Sequence, residues 1–344
     1  MSFEQPVLWL GMAGFSPEQH AQLTSLLGRL SKGWPAWQMG AFAEADAWLV
    51  SGEKSRLLGA DTLKILAGLP TERALQLNLA EVDRPIAFSQ PMTAGDLDPA
   101  HTFDPSSGVS LRKVLQQFEN WLRPLRSQFV LGGQLVERES ELLPGIYHVS
   151  HKGNLLAVMD FHAWRIGISP QADPVEFELA RWDKRPSGAH DIPGHFLHSS
   201  LTQLRWIYVQ RTERDVLPPR YRSRPIYFRH APGVPLRWLR DSQLVLLREL
   251  SVEAGDFDDM LQRTGLAPVQ LARDLATLYF AGSVTTTAEK AGNTGFAGLE
   301  ENLSGKIVGT AAEAAPMDSA AVLAPRRPSA RRSDLTAPVQ LGLK

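Results

Sequence analysis

The chain contains no cysteine among its 344 residues. This absence excludes a disulfide framework, a thiolate nucleophile and any zinc site built on cysteine. The apolar runs all fall short of the roughly 18 residues that a membrane-spanning helix needs. No basic residue stands near the N-terminus, where a secretory signal would carry one. We therefore expect a cytoplasmic protein that does not bind membranes.

Catalytic motifs are missing as well, since neither Gly-x-Ser-x-Gly nor His-Glu-x-x-His occurs. Six of the nine histidines are close in sequence: His148, His151, His162, His190, His195 and His198. Their spacing matches no zinc signature, and Pro193 and Gly194 interrupt the helical spacing that a ligand pair would need. The sequence therefore predicts no enzyme, no cofactor and no metal, with a metal-dependent hydrolase built on these histidines as the least favoured alternative.

Charge is distributed unevenly along a chain whose net charge is only -1. Residues 1–110 hold 7 basic and 12 acidic residues, whereas residues 201–250 hold 10 arginines and 4 acidic residues. Opposite charges on separate segments predict either docking between two parts of the chain or a dedicated anionic partner.

The N-terminal segment has the pattern of an α/β domain. Five short apolar segments fit strands: Pro6–Met12, Trp34–Met39, Asp46–Ser51, Ala74–Leu79 and Pro85–Pro91. Helices are predicted after Ser16 and over residues 60–69. Apolar strands separated by helices predict a small, doubly wound parallel sheet that is covered on both faces.

This order of elements resembles the CheY-like receiver domains of response regulators. Receivers bind magnesium with an acidic pair after the first strand, accept phosphate on an aspartate that ends the third strand, and place a lysine before the final proline. The matching positions here are Gly11–Gly14, Ser51 and Gln90. Magnesium needs oxygen ligands and a transferred phosphoryl group needs a cation. The resemblance therefore implies a degenerate receiver over residues 1–91, with Ser51 at the lost phospho-acceptor position.

Two further segments follow this domain. Residues 92–127 are predicted as a linker and an amphipathic helix, and residues 128–235 as a β-rich middle domain. Four short runs fit a β-meander in that domain: Phe129–Arg138, Gly145–Ser150, Leu155–Asp160 and Trp164–Ile168.

Residues 236–287 resemble a small regulatory winged-helix domain. Asp241, either Asp256 or Asp258, and Pro268 are start signals for three successive helices, and Ser283–Thr287 fits a strand. The polar face of the third helix would present Gln270, Arg273, Asp274 and Thr277. DNA-reading helices carry a basic footprint that this set lacks, so we expect the helix to pack on protein. Residues 288–344 are predicted to be a disordered tail.

The densest polar signal is an arginine–aromatic cluster over residues 205–240. Its arginines are Arg211, Arg214, Arg220, Arg222, Arg224, Arg229, Arg237 and Arg240, and its aromatic residues are Tyr208, Tyr221, Tyr227, Phe228 and Trp238. Guanidinium groups suit phosphate and aromatic faces suit nucleobases. The ligand-binding candidates are Arg220, Tyr221, Arg222, Arg224, Tyr227 and Arg229. A solvated arginine face that pairs with the acidic first domain is the alternative explanation.

Two functions are consistent with these patterns. The first is a non-catalytic bacterial signalling or regulatory protein that docks on a protein partner, or on a second copy of itself, through its receiver-like domain. The second is a regulator that binds a nucleotide, for example a cyclic dinucleotide, or a nucleic acid through the arginine–aromatic cluster.

Overall fold

The computed structural model describes residues 4–29, 36–59, 61–93, 97–139 and 141–292, apart from the Arg237 side chain. The described residues form a mixed α/β protein with a parallel sheet and several helices. Most of the tail predicted at 288–344 lies outside them. Within them, no helix is both long and apolar enough to cross a membrane.

The first part of the chain is built around the parallel sheet. In chain order its elements are β1 (Val7–Ala13), α1 (Pro17–Arg29), β2 (Ala36–Met39), β3 (Ala47–Val50), β4 (Ser55–Leu57), β5 (Thr62–Ile65), β6 (Leu75–Asn78), β7 (Ile86–Ser89), β8 (Thr102–Phe103) and α2 (Gly108–Trp121). The parallel sheet has the order β2-β1-β3-β7-β8. It therefore continues past residue 91, where the sequence placed the end of the first domain.

The prediction of a helix over residues 60–69 is wrong, because this segment contains strand β5. Leu63 and Ile65 are buried while Thr62 and Lys64 are half-buried, which is the two-residue period of a strand. The strand predicted at 74–79 is confirmed as β6, but β6 joins β4 and β5 in a separate antiparallel sheet. The small sheet therefore stands where a helix was expected.

The two faces of the parallel sheet are covered differently. One face packs against α1 and α2, with Leu10, Leu23, Leu111 and Phe118 among the buried contacts. The opposite face carries a second apolar cluster that includes Ile65 of β5. Alternate strand residues therefore enter two separate cores.

The middle part combines a second sheet with helices. Its elements are α3 (Arg123–Glu137), β9 (Ile146–His151), β10 (Asn154–Asp160), β11 (Arg165–Ile168), α4 (Pro174–Glu178), β12 (Arg181–Arg185), β13 (Leu197–Ser200) and α5 (Leu201–Arg211). The antiparallel sheet has the order β12-β9-β10-β11-β13. The last three strands of the predicted meander are thus confirmed as β9, β10 and β11.

The strand predicted at Phe129–Arg138 is wrong, because these residues lie mostly in helix α3. Pro124 stands in the first turn of α3, where its missing N–H costs no hydrogen bond. Gly132 and Gly133 face α5 so closely that a Cβ atom on Gly132 would lie 2.6 Å from the Leu204 carbonyl oxygen. Glycine is unfavourable inside a helix, but here the close approach of α3 to α5 leaves no room for a side chain at Gly132 or Gly133.

The last part contains the three helices that the start signals predict. Its elements are α6 (Arg220–Ser223), β14 (Tyr227–Phe228), α7 (Asp241–Val252), α8 (Phe257–Thr264), α9 (Pro268–Phe280) and β15 (Val284–Thr285). The Asp256 carboxylate caps α8 by accepting the Asp259 N–H, and the helix ends at Gly265, which has a positive φ of 66°. These local signals placed α7, α8 and α9 correctly.

The polar face predicted for the third helix is buried in part. Asp274 and Thr277 are at most 1% exposed, and α9 packs against α5 and α7. Gln270 and Arg273 are half-buried. That this helix does not read DNA stays a prediction.

Candidate functional site

The arginine–aromatic cluster divides into two groups in the structure. Arg211, at the end of α5, donates to both carboxylate oxygens of Asp46, each at 2.6 Å. Arg214 contacts Glu4 at 3.0 Å and Glu137 at 2.6 Å. This group therefore joins the acidic first part of the chain to the rest, as the opposite charges predict.

The second group lines an open groove of about 430 Å³, which we call the basic groove. Arg220, Arg224, Arg229 and Lys290 contribute four cations to its wall. Thr285, Thr286 and Thr287 and the Tyr279 ring complete much of the lining. No carboxylate lines it within the described part of the chain.

Short local elements position these cations. Arg220 begins α6, and the backbone N–H of Arg224 donates to the Arg220 carbonyl at 3.0 Å. The backbone N–H of Arg229 donates to the Ser283 carbonyl at 2.9 Å, which extends the β14–β15 pairing. Gly282, with a φ of 75°, provides the tight turn between α9 and β15.

Tyr221 has a structural role in the basic groove. Its ring is 2% exposed and its hydroxyl donates to the Val284 carbonyl at 3.0 Å. Burial raises the pKa of Tyr221 to about 12. The Arg220 guanidinium lies over the Tyr221 and Tyr279 rings, at 5.6 and 5.3 Å from their centroids. The Tyr221 ring therefore cannot stack on a base, contrary to its prediction as a ligand-binding residue.

Two other predicted residues lie outside the basic groove. Arg222 pairs with Asp215 at 2.5 Å, and its guanidinium lies 4.9 Å from the Phe257 ring centroid. Tyr227 is a half-buried strand residue opposite Thr285. Tyr279, the threonine run and Lys290 were not predicted as site residues, although the Thr285–Thr287 run followed by a lysine is visible in the sequence.

The structure shows where the two receiver-like positions Ser51 and Gln90 lie. Ser51 is 1% exposed, its N–H donates to the Ala13 carbonyl, and its own carbonyl accepts the Ser55 hydroxyl at 2.7 Å. Gln90 is exposed after β7, where its N–H donates to the Phe103 carbonyl. Ser51 is therefore a buried residue whose backbone groups are both paired within the protein.

The histidines do not converge. His148 Nε2 lies 3.0 Å from the Ala189 carbonyl oxygen, and His190 Nδ1 lies 3.2 Å from that of Ser187. Over the ranges that the structure describes, no three histidine, aspartate or glutamate side chains lie close enough together to hold a metal ion.

No family model, curated protein or solved structure matches this chain. Three features of this structure therefore bear on function. They are the parallel sheet without phosphorylation residues, the arginine contacts between the parts of the chain, and the basic groove.

Proposed function

We propose that this chain is a non-catalytic regulatory protein that binds a phosphate-bearing ligand of nucleotide size in the basic groove. The observation that carries the proposal is the convergence of Arg220, Arg224, Arg229 and Lys290 on one groove whose described lining holds no carboxylate. Guanidinium groups bind phosphate oxygens in bidentate geometry, and threonine hydroxyls add neutral donors.

The shape of the site favours a small ligand over a nucleic-acid strand. A volume of about 430 Å³ suits one nucleotide or a cyclic dinucleotide. Single-strand binding uses exposed aromatic faces as stacking platforms. Here the Tyr221 ring is buried and the Tyr279 ring lies under Arg220. Phosphate recognition is therefore better supported than base stacking.

A regulatory role is supported by the first part of the chain. The parallel sheet β2-β1-β3-β7-β8 fits the small doubly wound sheet that the receiver resemblance implies, although the strand predicted at 74–79 lies outside it. Ser51 and Gln90 stand where that resemblance expects an aspartate and a lysine. Through Asp46, this part docks on Arg211 of its own chain. A separate protein partner remains a prediction from the sequence.

Calorimetric titration of the full chain with pyrophosphate, a nucleoside triphosphate and a cyclic dinucleotide tests the proposal. We expect one of these phosphates to bind, and the paired change of Arg224→Ala and Arg229→Ala to weaken it at least tenfold. Each charge-assisted hydrogen bond contributes roughly 1.5–3 kcal/mol, and about 1.4 kcal/mol is a tenfold change in affinity.

Arg222→Ala is the matched control, because it removes a guanidinium from the same segment but outside the basic groove. The affinity of this variant for the phosphate ligand should stay within a factor of two of the wild-type affinity. If Arg222→Ala and the double variant lost affinity for the phosphate ligand equally, the site would not be specific to the basic groove. Tighter, strongly salt-dependent binding of a single-stranded oligonucleotide would contradict the nucleotide assignment.

A further inference from the structure

A second cavity of about 350 Å³ lies where the first part of the chain meets α3, α5 and the segment before α7. We call it the junction cavity. β1 contributes Trp9, α3 contributes Gln128, and α5 contributes Trp206 and Gln210. It shares no lining residue with the basic groove. Any ligand here would contact both sides of the Asp46–Arg211 docking contact.

Several indole rings lie in the wall of the junction cavity. Four of the chain's nine tryptophans line it: Trp9, Trp121, Trp206 and Trp238. The guanidinium groups of Arg211 and Arg240 lie over the Trp9 ring, at 4.8 and 4.5 Å from its centroid. Flat aromatic faces around a cavity of this size suit a planar ligand that stacks on them.

The cavity also holds polar groups without hydrogen-bond partners. Gln128 is 1% exposed, and neither its Oε1 nor its Nε2 atom has a partner in the structure. The same holds for Trp206 Nε1 and Gln210 Nε2. Buried polar groups in proteins are normally paired, so each exception requires an explanation. An amide on a cavity wall offers one acceptor and two donors to a ligand edge.

Gln134 lies six residues further along α3 and is a glutamine whose amide is fully paired within the protein. Its Nε2 donates to the Phe177 carbonyl at 2.8 Å, and its Oε1 accepts the Trp182 indole N–H at 3.1 Å. Gln128 also lines the junction cavity, but its two amide atoms are buried and have no partner, whereas the Gln134 amide is paired on both sides.

Charge in the junction cavity is balanced. Arg211 is held by Asp46 at 2.6 Å, and Arg84 by Asp83 at 2.9 Å. Glu44 lies in the lining together with Arg240. Three guanidinium groups and three carboxylates give no net charge for an anion to neutralise. The chemistry therefore favours a neutral ligand.

We propose that the junction cavity binds a neutral planar heterocycle with adjacent hydrogen-bond donor and acceptor groups, of the class to which nucleosides belong. The ring stacks on Trp121 and Trp238, because two guanidinium groups cover the Trp9 ring and Trp206 is 2% exposed. Its polar edge pairs with the Gln128 amide, whose side chain turns toward the ligand. This site is separate from the basic groove, and a nucleoside carries no phosphate, so each of the two proposals can fail independently.

Tryptophan fluorescence and thermal unfolding of the full chain provide the test, with adenosine, guanosine, cytidine and uridine as separate probes. We expect one nucleoside to quench fluorescence saturably and to raise Tm by mass action. Gln128→Leu should weaken this binding at least tenfold. The same change should raise the Tm of the free protein by about 2–4 °C, because it removes an unpartnered buried amide at similar volume.

Gln134→Leu is the matched control on the same helix. It should lower Tm, because it leaves the Trp182 indole N–H unpaired and removes one of the hydrogen bonds that the Phe177 carbonyl accepts. It should leave nucleoside affinity within a factor of two. The proposal is overturned if no nucleoside binds at millimolar concentration. It is also overturned if Gln128→Leu leaves binding unchanged or lowers the Tm of the free protein.

Discussion

At the scale of single residues, the buried carboxylate of Asp274 should make stability depend on pH. Asp274 is 1% exposed on α9, and burial raises its pKa, against the opposing effects of the Gln270 hydrogen bond and the Arg240 charge. The folded state therefore binds this proton more tightly than the unfolded state. Its contribution to stability falls as pH rises from about 4, the ordinary aspartate pKa, to the raised value.

Asp274→Asn removes this titration while keeping the shape of the side chain. We expect the free energy of unfolding at neutral pH to rise, because the buried charge is gone. Near pH 4, where the unfolded aspartate itself becomes protonated, the gain should shrink. Urea unfolding at the two pH values measures both effects, and a gain of equal size at both would contradict the explanation.

At the scale of elements, the α3–α5 contact depends on the absence of two side chains. A Cβ atom on Gly132 would lie 2.6 Å from the Leu204 carbonyl oxygen, and one on Gly133 would lie 2.9 Å from the Tyr208 ring. Gly132→Ala should therefore lower the free energy of unfolding by about 1–3 kcal/mol, the usual cost of overpacking.

The matched control is Gly28→Ala in α1, where a Cβ atom would meet nothing within 4 Å. An exposed helical glycine loses more backbone entropy on folding than alanine, so this change should stabilise by roughly 0.5–1 kcal/mol. Urea unfolding of both variants shows whether the free energy of unfolding falls for Gly132→Ala and rises for Gly28→Ala. If both variants shifted in the same direction, helix propensity alone would account for the effect at Gly132.

Helices with local start and stop signals could be predicted from the sequence, whereas α3, which depends on its contact with α5, could not. α7, α8 and α9 begin and end at local signals such as Asp256 and Gly265, whose chemistry acts within one turn. Helix α3 has no such clear pattern. Its interior carries the Gly132–Gly133 pair, which argues against a helix in sequence, and Leu131, Gly132, Gly133 and Leu135 are all buried. Tertiary packing determines its structure.

The basic groove was predictable only in part, for a related reason. The local density of arginine identifies the right segment of the chain. It cannot separate Arg211, which finds Asp46 across a sequence distance of 165 residues, from Arg224 and Arg229, which line the groove. Nor could sequence reveal that the Tyr221 ring is buried. Long-range partners decide which charges remain available to a ligand.

At the scale of the whole molecule, one apolar core connects the parts of the chain. A single cluster of buried side chains includes Leu8 of β1, Leu131 of α3, Leu204 of α5 and Leu275 of α9. Elements that share a core unfold together. We therefore expect the wild-type chain to show one cooperative unfolding transition over these elements, with tryptophan fluorescence and far-ultraviolet circular dichroism changing together.

The Asp46–Arg211 ion pair connects the parallel sheet to that core. The Asp46 side chain is 9% exposed and the Arg211 side chain is 13% exposed. Arg211→Ala leaves a buried carboxylate without its cation, which should cost about 3 kcal/mol of unfolding free energy. Arg211→Lys should not restore the loss, because an ammonium group cannot donate in the same bidentate geometry. Arg214→Ala, at a side chain 54% exposed, should cost less than about 1 kcal/mol. Urea unfolding of the three variants tests this order, and comparable losses for Arg211→Ala and Arg214→Ala would mean that the apolar core alone holds the parts together.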